Sequence, residues 1–199
     1  MERRLLQLAK AGNVELLEIT GIENRRRHFH ELLKLKIDNL NDAGILHRMD
    51  KPEIASYYST LVTNPEIQDA ICQFELRCGG DMVASVFALV HQETFFYQVC
   101  AFNKKKFGQY SPGLLLLYLL FDWSFARGLK RFDMTIGDEA YKTDWANQTT
   151  ALVVAAKAYS LRGYLLLSKR KTITAVKEFI KRTAPLHRLA QNFVQKKAA

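Results

Sequence analysis

Six residues at positions 108–113, with the sequence GQYSPG, combine the residue types that can hold a phosphate at the start of a helix. The first turn of a helix carries unpaired N–H groups and the positive end of the helix dipole, and both favour anions. Ser111 suits the N-cap, Pro112 suits the first turn, and Gly113 lets a bulky anion approach the backbone. The same residues would also make a well-capped structural helix, so the pattern alone leaves both interpretations open.

A second group of reactive side chains follows about 25 residues later, at the end of a predicted strand. Its members are Asp133, Asp138, Glu139, Tyr141, Lys142 and Trp145. A carboxylate in this group could take a proton from an amine or hydroxyl, directly or through water. Lys142 could instead pair with an acid, which would make the group purely structural.

The elements ahead of these groups are two helices and two shorter segments. The apolar spacing predicts helices over residues 22–40 and 52–62, the second opened by a proline in its first turn. Residues 1–11 are predicted to be helical, and residues 14–19 to form a short strand.

A β meander follows. Three strands are predicted over residues 71–78, 82–91 and 94–102, and the first two are joined at Gly79-Gly80, a tight-turn signal. Residues 103–113 are predicted to be a polar loop.

The rest of the chain is predicted to be a helix over 112–127 ended by Gly128, a buried strand over 131–136, another strand over 149–158 and a basic helical tail. A meander that feeds a strand–helix–strand unit indicates a mixed α/β fold with a right-handed crossover. A splayed parallel pair in such a sheet leaves a cleft at the strand ends, where a cofactor binds.

The positive charge is confined to one end of the chain. The 199 residues carry a net charge of +9, and residues 159–199 contain ten basic residues and one acid, which accounts for the whole excess. We therefore expect a connecting helix over 1–12, one domain over 13–158 and a basic tail over 159–199. The tail could pack on the sheet, touch an anionic membrane surface or bind tRNA.

Other residues point to a cytoplasmic protein without a metal. The longest apolar run, residues 114–121, is far shorter than a membrane span, and the first residues do not resemble a signal peptide. The three cysteines are expected to be reduced and buried, and no metal-ligand spacing appears. His28 and His30 are expected to face solvent.

The two reactive groups together form a recognisable segment, SPGLLLLYLLFDWSFARGLKRFDMTIGDEAYKTDW. It resembles the core signature of CelD-like (BioF2-like) acetyltransferase domains in the GCN5-related N-acetyltransferase (GNAT) superfamily, which are related to FemAB proteins. The resemblance implies the GNAT fold, with acetyl-CoA or another acyl-CoA as donor. It also implies that the acceptor is an amine or hydroxyl of a sugar or cell-envelope precursor.

The resemblance also assigns roles to residues. It implies that the donor is bound by Gly108, Tyr110, Ser111, Pro112 and Gly113, that catalysis involves Glu139, Asp138, Tyr141 and Lys142, and that Asp133 and Trp145 contact substrate. The resemblance also implies that the chain is the second of two tandem half-domains, so another such half-domain or a homodimer is an expected partner. GQYSPG replaces the usual Gln/Arg-x-x-Gly-x-Gly/Ala loop, which keeps an aminoacyl-tRNA-dependent transferase open as an alternative. A half-domain on its own keeps a second alternative open, a non-catalytic binding domain.

Overall fold

The computed structural model describes residues 1–137, 139–153 and 155–182. The chain divides into two compact units, Met1–Asp138 and Glu139–Ala199, which are described separately below.

The first unit contains five α-helices, two 3₁₀ helices (Pro65–Ala70 and Gly108–Tyr110) and five strands within its described residues. The helices are α1 (Glu2–Ala9), α2 (Ile22–Asp42), α3 (Pro52–Thr63), α4 (Lys104–Phe107) and α5 (Pro112–Ala126). The strands are β1 (Val14–Glu18), β2 (Ile71–Cys78), β3 (Asp81–His91), β4 (Thr94–Phe102) and β5 (Arg131–Asp133).

The strands form one mixed sheet in the order β1-β2-β3-β4-β5. Neighbours are antiparallel from β1 to β4, whereas β4 and β5 are parallel and joined through α5. The predicted α/β class and the meander are therefore confirmed. The strand predicted over 131–136 is shorter than expected, because only three residues pair with β4.

Helices cover both faces of the sheet, as the alternation along β2 shows. Gln73 lies against His28 of α2, with 2.6 Å between the amide oxygen and the imidazole. The next residue, Phe74, packs against Trp123 of α5, with ring centroids 4.8 Å apart. Because successive side chains of a strand point to opposite faces, α2 and α5 lie on opposite sides of the sheet.

The α2 side has an aromatic centre that joins both long helices to the sheet. Phe29 of α2 stacks on Tyr58 of α3 at 4.9 Å and meets Phe87 of β3 edge-on at 5.4 Å. Leu32 and Val62 are fully buried in the same cluster. This packing explains why the two predicted helices end within two residues of their expected limits.

On the other side, α5 is buried along most of its length. Phe95 stacks on Phe132 at 4.7 Å, and this pair fixes β5 beside β4. The helix ends as predicted: Gly128 follows the cap residue with φ of 70°, a left-handed conformation that glycine adopts without steric cost.

The second unit contains α6 (Ala140–Trp145) and α7 (Leu161–Arg182) within its described residues. The strand predicted over 149–158 is wrong: the described residues of that segment form no strand, and Leu152 and Val153 are 68% and 90% exposed. The helical tail is confirmed as far as α7, and residues 183–199 lie outside the described part.

Two further expectations need correction. The loop predicted over 103–113 contains α4 and a short 3₁₀ turn at Gly108–Tyr110. His28 is buried instead of facing solvent, whereas His30 is exposed as expected. None of the helices in the described ranges combines the length and apolarity needed to cross a membrane.

Candidate functional site

The parallel strands β4 and β5 pair over three residues and then separate. The last pair is Phe96 with Asp133, and β4 continues six residues further, to Phe102. Parallel pairing places the carboxyl ends of both strands at the same edge of the sheet, and α5 begins beyond the carboxyl end of β4. The separation therefore opens toward the edge of the sheet from which α5 starts.

After β5, the chain turns away from β4, and this turn is stabilised by specific hydrogen bonds. Thr135 has φ of 59°, in the left-handed region that a β-branched residue rarely adopts. Its amide donates to the Asp133 carboxylate at 2.7 Å, and its hydroxyl donates to the Tyr97 carbonyl at 3.1 Å. Asp133 thus holds this turn in place, and its predicted contact with substrate stays a prediction.

A β-bulge lies in β4 beside this opening. Ala88 of β3 pairs with Tyr97, but the preceding residue, Phe87, pairs with Val99, which leaves Gln98 without an opposite residue. Gln98 is exposed. The bulge occurs two residues after the last residue of β4 that pairs with β5.

The bulge also reverses which side chains of β4 face each helix layer. Before it, Phe95 contacts Trp123 on the α5 side. After it, Val99 and Ala101 belong to the core on the α2 side. Phe102 therefore points to the α5 side, where it lies beneath Gly113. The bulge could not be predicted from the sequence, because nearly every residue of β4 is apolar or aromatic, which hides a change in the alternation of side chains.

The start of α5 has an unusual backbone. Ser111 occupies the N-cap position with φ of 55° and ψ of 59°, and its side chain caps no amide of the described residues. Ser111 therefore occupies the N-cap position that the sequence predicts, but its hydroxyl forms no capping hydrogen bond with a described amide. Instead, the Ser111 carbonyl accepts from the amides of Leu114 and Leu115 at 3.0 and 3.1 Å. A non-glycine residue in this conformation costs energy, which is typical of functional turns.

The amide of Gly113 is left available at this helix start. Among the described residues it donates to no backbone carbonyl, and Pro112 has no amide hydrogen. A Cβ added at Gly113 would lie 3.1 Å from Cδ1 of Phe102, so glycine also permits close packing on β4. An unpaired amide at a helix start is a donor suited to an anion.

The rest of the predicted donor-binding segment lies beside this amide. Gly108 and Tyr110 belong to the 3₁₀ turn, and the Ser111 amide donates to the Gly108 carbonyl at 3.1 Å. The structure thus brings Gly108, Tyr110, Ser111, Pro112 and Gly113 into one continuous turn. Their predicted contact with a donor stays a prediction.

The predicted catalytic residues that are described lie in the second unit. Glu139 is exposed at the N-cap of α6, and its carboxylate accepts from the Lys142 ammonium at 2.9 Å. The pairing that the sequence left open is therefore present. Tyr141 and Trp145 are half-buried and one helical turn apart on α6. Asp138 lies outside the described residues.

The first unit also contains a buried polar network that was not predicted from the sequence. His28 is 4% exposed, and the Ser85 hydroxyl lies 2.9 Å from its Nε2 while the Gln73 oxygen contacts its Nδ1. Burial lowers the pKa of His28, although the Gln73 hydrogen bond and the Glu75 charge oppose this shift. No sequence signal marked His28, because its burial depends on strands far along the chain.

A cavity of about 540 Å³ lies away from the predicted site residues, and none of them lines it. It is bordered by α2 and by Ser59 of α3, and its charged lining contains Arg26, Arg27, Glu23 and Glu31. Arg26 pairs with Glu23 at 2.6 Å, which neutralises part of this lining.

In the described part of the chain, no three His, Cys, Asp or Glu side chains come together as metal ligands.

Comparison with solved structures reveals the same fold in two bacterial proteins. One is described as a predicted acetyltransferase with acetyl-CoA from Clostridium acetobutylicum; its TM-score is 0.50 at 10% identity, over 73% of this chain and 96% of that one. The other is described as a possible acetyltransferase from Clostridium difficile; its TM-score is 0.50 at 9% identity, over 74% and 99% of the two chains. No curated protein matches the chain in sequence.

A family model gives the decisive comparison. The model described as an acetyltransferase (GNAT) domain matches residues 1–143, which include the whole sheet, the start of α5 and Glu139. This match spans well over half of the chain and agrees with the sheet topology described above. The chain belongs to the acetyltransferase (GNAT) domain family.

Proposed function

We propose that this acetyltransferase moves an acyl group, most simply acetyl, from acyl-CoA to an amine or hydroxyl of a sugar or cell-envelope precursor. The observation that carries the donor assignment is the unpaired Gly113 amide at the start of α5, next to strands that separate after Asp133. Family membership supports the reaction class, and the structural neighbour from Clostridium acetobutylicum is described as a predicted acetyltransferase with acetyl-CoA.

The donor's phosphates would lie at the turn of residues 108–113, where the Gly113 amide and the helix dipole favour negative charge. Two lysines of α4 are already paired, Lys105 with Asp42 at 3.6 Å and Lys106 with Asp81 at 2.5 Å. Lys104 forms no ion pair with an acid of the described residues, which leaves its charge available to a phosphate.

The acyl end of the donor would lie along β4, beyond the point where β5 leaves it. There the acceptor's nitrogen or oxygen forms a bond to the acyl carbon, the carbon–sulfur bond breaks, and coenzyme A leaves as a thiol after taking up a proton. Backbone amides near the bulge at Gln98 would stabilise the oxyanion formed on the way. Glu139, before Asp138, is the proposed base for the acceptor's proton.

The resemblance to CelD-like and FemAB-like domains supports a saccharide or envelope acceptor, and it supports a partner half-domain or a second copy that completes the acceptor site. The aminoacyl-tRNA-dependent alternative draws on the ten basic residues of 159–199. It predicts RNA binding in place of coenzyme A binding.

The test is calorimetric titration of the full chain with acetyl-CoA and with free coenzyme A, using three proteins: wild type, Gly113→Ala and Gly113→Asp. Both substitutions add a Cβ against Phe102, but only aspartate adds a negative charge. We expect micromolar binding to wild type, a modest loss with alanine, and a further loss of about fivefold with aspartate, because its carboxylate competes with the donor's phosphates for a helix start that favours negative charge by about 1 kcal/mol.

Equal affinities of the alanine and aspartate variants, with both folded by circular dichroism, would place the phosphates elsewhere. Failure of folded wild-type protein to bind either ligand would overturn the acyl-CoA proposal. The aminoacyl-tRNA-dependent and non-catalytic alternatives would then be tested by titration with tRNA.

A further inference from the structure

Helix α7 exposes several large apolar side chains to solvent. Those between 46% and 79% exposed are Leu161, Tyr164, Leu165, Leu166 and Ile173. Single exposed leucines are ordinary, but α7 exposes five such residues within 13 positions, and Leu161, Tyr164 and Leu165 are neighbours on the helix surface. A helix that exposes so many aliphatic and aromatic groups indicates a surface that another phase or molecule covers.

Cations lie among these apolar groups. The 22 residues of α7 include seven basic residues and a single acid, Glu178. Arg162 and Lys169 are exposed, and they alternate with Leu166 and Ile173 at spacings of three or four residues. Residues at these spacings are neighbours on a helix surface, so each cation stands beside an apolar side chain. Long basic side chains of this kind can bury their methylenes and keep the charge in water.

This combination identifies one kind of occupant. Nucleic-acid phosphates would pair with the cations but would leave the leucines in water. A protein partner would cover the leucines, but the excess of six positive charges would require a strongly acidic surface. The interface of an anionic bilayer satisfies both, because it offers negative headgroups above an apolar layer. Charges distributed throughout α7 fit a helix that lies in the plane of the membrane.

We propose that α7 binds the surface of membranes containing anionic phospholipids, with Leu161, Leu165 and Leu166 entering the headgroup boundary and the basic side chains contacting lipid phosphates. This inference is independent of the acyl-transfer proposal, because it concerns α7, to which that proposal assigns no residue, and it requires neither coenzyme A nor turnover.

The test is co-flotation of the full chain with vesicles of phosphatidylcholine alone or mixed with phosphatidylglycerol, at low and high salt. Leu165→Gln/Leu166→Gln removes apolar surface without changing charge, and Arg162→Gln/Lys169→Gln removes two charges and retains the leucines. Phe125→Gln is the matched control, since Phe125 is 86% exposed on α5 in the first unit.

We expect wild type to float with the anionic vesicles only, and each double variant to bind on the order of tenfold more weakly. Phe125→Gln should bind like wild type, and high salt should weaken binding because the charges are exposed.

Three results would overturn the proposal. The first is no flotation of folded wild type with anionic vesicles. The second is wild-type flotation of Leu165→Gln/Leu166→Gln, since the apolar surface would then be unused. The third is tighter binding of tRNA than of vesicles, with the leucine variant unaffected, which would identify a nucleic-acid site.

Sedimentation of wild type and the leucine variant detects self-association. A dimer that the variant abolishes, without vesicle binding, would assign the surface to a second copy and overturn the proposal.

Discussion

The Nδ1 atom of His28 lies 2.6 Å from the Oε1 atom of Gln73, and both residues are buried between α2 and the sheet. Because the amide oxygen can only accept, Nδ1 donates to it, and in a neutral ring Nε2 accepts from the Ser85 hydroxyl at 2.9 Å. Burial favours that neutral ring. Burial lowers its pKa from the ordinary value of 6.5; Gln73, Glu75 and Glu31 oppose the shift, and Arg77 adds to it.

This arrangement predicts a loss of stability in mild acid. The unfolded chain binds a proton at His28 below about pH 6.5, whereas the folded chain does so only at a lower pH. The free energy of unfolding should be fully retained above pH 6.5 and should fall below it, by up to about 1.4 kcal/mol per pH unit. Urea unfolding of wild type and His28→Gln at pH 7, 6 and 5 measures this.

In that experiment the variant should be less stable at pH 7, but its deficit should shrink as the pH falls. His30→Gln is the matched control, since His30 is exposed on the same helix, and it should follow wild type. Parallel pH profiles of wild type and His28→Gln would show that His28 does not titrate differently on unfolding.

The left-handed backbone of Ser111 predicts an unusual order of stabilities. An L-residue in this conformation costs about 1–2 kcal/mol relative to glycine, and the Ser111 side chain caps no described amide that would offset the cost. Ser111→Gly should therefore retain or raise the free energy of unfolding. Ser111→Val should lower it by about 1–2 kcal/mol, because a β-branched side chain fits this conformation poorly.

Chemical unfolding of the purified variants measures these free energies. Ser111→Ala distinguishes the cost of the left-handed backbone from any contribution of the hydroxyl. It keeps the Cβ and removes only the oxygen, so it should match wild type. Should alanine prove clearly less stable than both serine and glycine, the hydroxyl would have a structural role that its geometry does not indicate.

Burial of Cys72 predicts slow thiol chemistry. The thiol lies in β2 and is 7% exposed, and burial, assisted by the nearby Glu18 charge, raises its pKa to about 11. At pH 8 the thiolate population should be about a hundredfold smaller than for an ordinary thiol, so alkylation should be slowed at least to that extent. Mass spectrometry after iodoacetamide treatment measures each cysteine.

Cys100 gives the internal comparison, because it is only partly buried. It should be modified before Cys72 in folded protein, and both should react alike in denaturant. Equal rates in the folded state would mean that β2 opens on the timescale of labelling, contrary to its position between two strands.

Most of the fold could be predicted because its signals are local. Pro52 opens α3, Gly79 and Gly80 join β2 to β3, and Gly128 follows the end of α5. Each of these residues acts through its own backbone preference, which is present in the sequence.

The remaining features depend on partners that the sequence does not name. Residues 149–158 have strand composition, but a strand exists only where a neighbour pairs with it, and the described residues there form none. The bulge at Gln98 arises from the register between β3 and β4, and the burial of His28 arises from β2 and β3 packing on α2. The residue types predicted a helix that starts after Ser111. The left-handed turn at Thr135 could not be predicted, because it depends on tertiary contacts.

The ion pair between Glu139 and Lys142 allows the proposed base to be separated from a structural role. Both Glu139→Gln and Lys142→Gln abolish the 2.9 Å pair, but only the first removes the carboxylate. If Glu139 accepts the acceptor's proton, Glu139→Gln should lower kcat by about 10²–10⁴ and leave the Kd for acetyl-CoA nearly unchanged. Lys142→Gln should then retain far more activity.

Steady-state kinetics with an accepted substrate, together with calorimetry for the donor, measures both quantities. Equal losses in the two variants would assign the pair a structural role and remove Glu139 from the chemistry.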